Sequence, residues 1–299
     1  MRLSRMQGAR WAIVLLLAVA TPGGNAAAQA GPERPLPEVP TLMREVQEHQ
    51  RQLDKVRELY TYTSTQTTED LDANARVTKT ETVTGEDFFV NGHVLSRTVK
   101  RNGQPLSAHD AEKEQERVAK LVEKAEQTPP GQPLRGPTIT VGRLLEIMDV
   151  RNERRVEFRG RPTVVFDFVG RKNAKTHGML EDASKKLRGT IWIDEADRQV
   201  ARLEVTFMEN FHVAGGLVAN VEKGSHFGFD QAPVPLEKGE HEQAGDELWL
   251  PTGAEGTMDA RVLLLKMVRQ HFVERDSEYK RFRVETGQAG KARVKPEKH

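Results

Sequence analysis

The chain has no cysteine in its 299 residues. No disulfide framework can hold it together, and no lipidated cysteine can tether it to a membrane, so packing alone must stabilise it. Aromatic residues are scarce at 6%, and the hydrophobic residues together reach only 37%. So low an apolar fraction favours an extended sheet with one wet face over a parallel sheet covered on both sides. Charge of one sign is missing as well: 45 Lys+Arg stand against 44 Asp+Glu, a formal net charge of +1. That balance argues against nucleic acid as a partner. Beyond residue 20 no run is apolar enough to span a bilayer.

The single long apolar run, residues 11–20, follows Arg2, Arg5 and Arg10 and precedes Ala28-Gln29-Ala30. It reaches roughly half the 20 residues a transmembrane helix needs, so it reads as a secretory signal peptide, residues 1–30, cleaved after Ala30. A Pro-rich linker, residues 31–40, leads into one domain over residues 41–284, and a basic disordered tail over 285–299 ends the chain. Export with no anchor and no disulfide predicts a freely diffusing periplasmic or secreted protein.

Residues 188–207 organise the rest. Ala201, Leu203, Val205 and Phe207 recur at every second position with Arg202, Glu204 and Thr206 between them, the mark of a half-buried strand. Gly189, Thr190, Ile191, Trp192 and Ile193 form its partner, and residues 194–198 supply the turn of a hairpin. Before it, Thr41 is the expected N-cap of an amphipathic helix bearing Leu42, Val46, Leu53, Val56 and Tyr60. Threonine-rich strands follow at 60–68 and 76–84, then separate strands at 87–90 and 93–96, with Asn91-Gly92 and Asn102-Gly103 as hairpin turns. Ser107 and Asp110 open a charged surface helix to about residue 127. A proline-rich loop precedes a short helix in which Leu144, Leu145, Ile147 and Met148 come so densely that the helix is expected to press onto the sheet and plug it. From residue 150 on the chain is strand-like, with a Gly160-Arg161-Pro162 turn, a polar loop around His177 and Gly178, and Gly215, Gly216, Gly224 and Gly228 as bends. Strands grouped around helices without β-α alternation make an α+β protein, a curved antiparallel incomplete β-barrel (half-barrel) closed by about three helices.

Catalytic patterns appear only as fragments. Gly224-Ser225-His226-Phe227-Gly228 lacks the G-x-S-x-G spacing of a nucleophile elbow, and His241-Glu242 has Gly245 where a zinc-binding helix needs its second histidine. Asp194 and Asp197 flank a turn, where bonding to the backbone accounts for them. No enzymatic activity, cofactor or metal is expected. What remains is apolar surface: Phe166, Phe168, Leu203, Val205, Phe207, Leu263 and Leu265 on strands, with Leu144 and Met148 from the short helix, would line one trough. Each such side chain gains about 1.5–3 kcal/mol on burial, so a trough of this size is filled either by the protein's own helices or by an acyl chain or apolar peptide.

The G-x-x-W-I-D turn at Gly189, Trp192, Ile193 and Asp194, the R-L-E of Arg202-Leu203-Glu204, the Phe88-Phe89 strand before Asn91-Gly92, and the late Leu248-Trp249-Leu250-Pro251 run resemble the LolA/LolB-like outer-membrane lipoprotein-sorting superfamily, in particular its larger periplasmic members. The resemblance spans residues 41–282. It implies a half-barrel enclosing an apolar cavity, a lipid or lipoprotein acyl chain as partner, and, in sensor members, an envelope protein as partner instead. The chain departs from the classical carriers in its greater length and in lacking their early arginine-proline strand pattern.

Overall fold

The computed structural model describes residues 35–130, 132, 134, 141–213, 219–235, 247–262 and 266–281. The expected leader and tail, and Leu263 and Leu265, lie outside the described residues. In chain order the elements are α1 (Val39–Arg57), β1 (Tyr60–Leu71), β2 (Val77–Val90), β3 (His93–Arg101), β4 (Gln104–Pro105), α2 (Ala108–Gln127), α3 (Val141–Ile147), β5 (Met148–Phe158), β6 (Arg161–Gly170), α4 (Met179–Ser184), β7 (Leu187–Asp194), β8 (Val200–Phe207), β9 (Phe211–Val213), β10 (Ala219–Val221), β11 (His226–Pro235), β12 (Glu247–Val262) and β13 (Lys266–Arg281). The strands form one antiparallel sheet in the order β4-β3-β2-β1-β13-β12-β11-β8-β7-β6-β5, with β9 and β10 attached beside β12. The sheet is open. Of the helices, only α1 and α2 are substantial, with 19 and 20 residues.

The hairpin of residues 188–207 forms as its alternation demands: β7 pairs with β8, Ile191 opposite Leu203 and Gly189 opposite Val205. Asp194 closes the turn by accepting the backbone N–H of Ala196 and of Asp197 at 3.0 and 2.8 Å. The greasy face of this hairpin is covered by α1. Val39, Leu42, Met43 and Val46 stand at i, i+3, i+4 and i+7, one stripe of a helix, and pack with Val164 and Phe166 of β6, Ile191 and Ile193 of β7, and Val200, Leu203 and Val205 of β8. Leu42 is wholly buried and Leu203 is 1% exposed. The second half of α1 places Leu53 against Tyr60, Tyr62, Phe89, Leu248 and Leu250. One helix thus covers the same face of the sheet, here called the inner face, from β6 across to β1.

Polar tethers fix α1 at both ends. Glu45 pairs with Arg198 in the β7–β8 turn at 2.7 Å. Arg57, buried at the C-terminus of the helix, donates to the Trp249 carbonyl at 3.1 Å and to the Gln231 side chain at 3.4 Å. The next residue, Glu58, accepts the backbone N–H of Gly92 in the β2–β3 turn at 2.8 Å.

Five sequence expectations need correction. The plug is α1; the short helix α3 contributes Leu145 to the edge of the core, packs against α1, β5 and α4, and stops at Ile147, so that Met148 opens β5. The first helix begins two residues before Thr41, with Pro40 in its first turn, where the missing N–H costs nothing, and Tyr60 starts a strand instead of ending the helix. The two strands expected at 76–84 and 87–90 are one, because Gly85 pairs with Ser64 and Thr98 in the ladders on either side, a register shift beside it leaving out Val99 of β3. Residues 179–184, within the expected polar loop, form α4. The turns at Asn91-Gly92 and Asn102-Gly103 appear with positive φ at all four residues; the next turn is at Arg159-Gly160, one residue earlier than expected.

Helix α2 begins as expected, the Ser107 hydroxyl accepting from the Asp110 N–H at 3.1 Å. It shields the open edge of β3. Glu114 accepts the Thr98 N–H at 2.6 Å and Arg117 donates to the Ser96 carbonyl at 2.5 Å, so side chains complete a strand edge that would otherwise invite pairing with another chain.

Leu203→Asp should lower the unfolding free energy by more than about 3 kcal/mol, because it strands an unpaired charge in the centre of this core. Chemical denaturation measures the change, and an unaltered midpoint would place Leu203 outside the core.

Candidate functional site

Cross-strand register arranges the inner face in ranks. The first runs Phe166, Ile191, Leu203, Phe229 and Ala254 across β6, β7, β8, β11 and β12, and α1 buries its β6–β8 part. The next rank runs Phe168, Gly189, Val205, Phe227, Gly256 and Phe272 across β6, β7, β8, β11, β12 and β13. Its rings lie over its glycines. A Cβ on Gly189 would stand 2.4 Å from the Phe168 ring, and one on Gly256 would stand 2.8 Å from Phe272. Phe227 and Phe272 are neighbours at 6.3 Å between centroids. Glycine therefore provides the space that the Phe168 and Phe272 rings occupy against the sheet. Phe168, Phe227 and Phe272 are only half-buried, unlike the fully covered Phe166 and Leu203 one rank away.

Phe207, two residues beyond Val205 on the same face of β8, stacks on Phe211 at 6.1 Å. Phe211 borders a cleft of about 620 Å³ between α4 and β9. Of the residues expected to line a trough, Phe166, Leu203 and Val205 lie beneath α1, Met148 is buried at the start of β5, and Leu144, Phe168 and Phe207 are half-buried. Leu263 and Leu265 lie outside the described residues. The sequence reading passed over Phe227 and Phe272, taking Gly224 and Gly228 beside the first as bends and leaving Gly256 unread. The signal was present as Phe227-Gly228-Phe229 on one strand and as Gly256 and Phe272 on its neighbours.

The opposite face is polar. Glu204 of β8 shares it with Arg202, Asp230 of β11 and Glu255 of β12. Burial, set against the nearby Arg202 guanidinium and reinforced by the Asp230 and Glu255 charges, raises the Glu204 carboxyl to about 7. Arg202 also lies 6.0 Å from the Trp192 ring centroid, and Arg159 pairs with Asp230 at 2.9 Å. Glu204 has Arg202 within reach, and Asp230 has Arg202 and Arg159, which accounts for the cluster as a charged sheet surface.

The remaining sequence fragments are structural. Ser225 is buried, its hydroxyl donating to the Asp259 carbonyl at 3.2 Å and accepting the Asp259 N–H at 3.1 Å. Asp194 and Asp197 both pair with Arg161 at 2.5 Å, and Asp197 accepts the Trp249 indole N–H at 2.8 Å. His241 lies outside the described residues. Among the described residues no group of three or more His, Cys, Asp or Glu could hold a metal ion, and no helix is long and apolar enough to cross a membrane.

No family model matches the chain, and no curated protein matches it. Among solved structures the fold is similar to a domain from Vibrio parahaemolyticus assigned to outer membrane lipoprotein sorting, at 13% identity over 83% of this chain and 95% of that one, with a TM-score of 0.32. It is also similar to a LolA superfamily protein from Nitrosomonas europaea, at 10% identity over 79% and 92% with a TM-score of 0.22. A third is MucB in complex with MucA(peri), at 10% identity over 80% and 94% with a TM-score of 0.23.

Two outcomes follow from this geometry. Gly189→Ala should cost about 1–3 kcal/mol in a denaturation experiment, typical of overpacking, since its Cβ would lie 1.9 Å from the Glu204 carbonyl oxygen. The raised carboxyl of Glu204 means that the folded protein holds its proton more tightly than the unfolded chain, so stability falls as pH rises from 4.5 to about 7. Glu204→Gln should remove that slope, raising the melting temperature above neutral pH and leaving it nearly unchanged below the lower limit. Parallel melting curves for the two proteins would refute this.

Proposed function

We propose that this chain is a non-enzymatic periplasmic binding protein that shields an acyl chain, free or carried on a lipoprotein, on the inner face of a half-barrel. The reading rests chiefly on the second rank: three half-buried phenylalanines, two of them with rings against glycines, Phe168 at Gly189 and Phe272 at Gly256, beside a helix-covered core. A strip of aromatic surface beside a helix-covered core suits a long, narrow apolar ligand better than a compact one. Contacts would come from Phe168, Phe207, Phe227 and Phe272 at once, with Leu144 and Met148 at the α3 end. Phe166, Leu203 and Val205, with Leu263 and Leu265, would join if the ligand reached under or past α1. The leader expected over residues 1–30 supports the compartment.

A second reading is favoured by α1 itself, which fills the first rank and is tethered by Glu45 and Arg57. On that reading the protein is an envelope sensor or scaffold whose inner face is occupied by its own helix and whose partner is another envelope protein.

Native mass spectrometry of the protein purified from its host compartment separates the two. The binding reading expects copurified lipid that is lost from the Phe227→Asp and Phe272→Asp variants while both remain folded. A ligand-free protein from every lipid source would sink that reading and leave the scaffold.

A further inference from the structure

The cleft between α4 and β9 differs in chemistry from the rank it adjoins. Lys172, Lys185 and Lys186 line it against two carboxylates, Asp182 and Glu209. Both carboxylates are engaged or distant: Asp182 accepts the Thr176 hydroxyl at 2.5 Å, and Glu209 meets Lys172 only at 3.9 Å with both side chains largely exposed. Lys186 donates to the Asn210 carbonyl at 2.5 Å and lies 5.9 Å from the Phe211 ring centroid. Lys185 is half-buried, and among the described residues its ammonium has neither an ion pair nor a hydrogen bond. An ammonium carries three donors and no acceptor, so one without an ion pair is open to an external anion.

The backbone holds this lysine in place. Lys185 ends α4, and a Cβ at Gly170 would stand 2.2 Å from the Lys185 carbonyl oxygen, so only glycine at the end of β6 lets α4 come so close. Arg143 of α3 clamps the other side of α4 through two contacts to Glu181 at 3.0 and 2.8 Å. That pairing, with the His177 N–H, holds the Glu181 carboxyl down at about 2.

We propose that this cleft binds the anionic headgroup, a phosphate or carboxylate, of an amphiphile whose chain passes over Phe211 and Phe207 onto the inner face. The assignment rests on the acyl-binding reading above and adds a charge preference to it. Its basis is continuity: lysines at the mouth, Phe211 as one wall, Phe207 stacked on Phe211, and Val205 and Phe227 next along the sheet. A free inorganic anion would have no use for the aromatic path, and a neutral lipid none for Lys185.

The test is calorimetric titration of the full chain, at low ionic strength, with dioctanoyl phosphatidylglycerol, dioctanoyl phosphatidylcholine, both below their micelle concentrations, and inorganic phosphate. The anionic lipid is expected to bind about tenfold more tightly than the zwitterionic one, the effect of one charge-assisted contact. Lys185→Glu should bring the affinity for the anionic lipid down to that for phosphatidylcholine; Lys172→Glu should do so in smaller measure and serves if the first variant fails to fold. Equal affinity for the two lipids, or equal loss of both in Lys185→Glu, would overturn the headgroup site and leave acyl binding standing. Binding of neither lipid would overturn both readings. Inorganic phosphate bound as tightly as the anionic lipid, with the same dependence on Lys185, would make the cleft a free-anion site and overturn the amphiphile.

Discussion

The contact between α1 and the β6–β8 face decides everything else in this molecule. A chain with no cysteine and little apolar residue to spare must concentrate its core, and it does so by laying Leu42, Met43 and Val46 onto Phe166, Ile191 and Leu203. At about 1.5–3 kcal/mol per side chain, these burials supply the main local driving force for closing the hairpin against the helix. The polar tethers add direction more than energy. Glu45–Arg198 is partly exposed and worth little on its own, whereas Arg57 is buried and fixes where the helix ends.

Because α1 is narrow and the sheet is wide, covering the first rank leaves the second half-covered. The glycines keep that second rank shallow. With side chains at 189 and 256, the rings of Phe168 and Phe272 would have to lift off the strand backbone, and the strip would become a set of separate knobs. The same residue type acts at 170, where it admits the end of α4 and so positions Lys185. Three glycines in unrelated strands thus set the depth of one surface and the position of the charge at its end.

Much of this was legible in the sequence, and what was not has physical causes. Alternation at residues 201–207 predicted the burial of Leu203 and Val205 because a half-buried strand has no other way to satisfy period two. The Asn-Gly turns and the Ser107 cap were legible because their chemistry is local. Which helix would cover the sheet was not, since the density of Leu144, Leu145, Ile147 and Met148 competes with the sparser stripe of α1, and coverage depends on length. Seven residues in α3 span little, whereas α1 reaches from β6 to β1. The aromatic rank escaped for a similar reason. Gly189, Phe227, Gly256 and Phe272 sit on four strands, and only the register brings them into one line.

The tethering of α1 bears on how a ligand would enter. Lifting the helix exposes four buried aliphatic side chains, a cost of about 6–12 kcal/mol, while a long acyl chain burying about fourteen methylenes gains about 11 kcal/mol at best. The two nearly cancel before the Arg57 and Glu45 contacts are broken, so displacing the helix offers a ligand almost nothing. Lying along the half-buried rings leaves the stripe of α1 over Leu203 and Val205 in place. The smaller gain there is net, and a charged end held near Lys185 would raise it without disturbing the core. On these energetics an acyl ligand, if the proposed reading holds, would lie beside the helix on the rings, with the first rank left to hold the fold together.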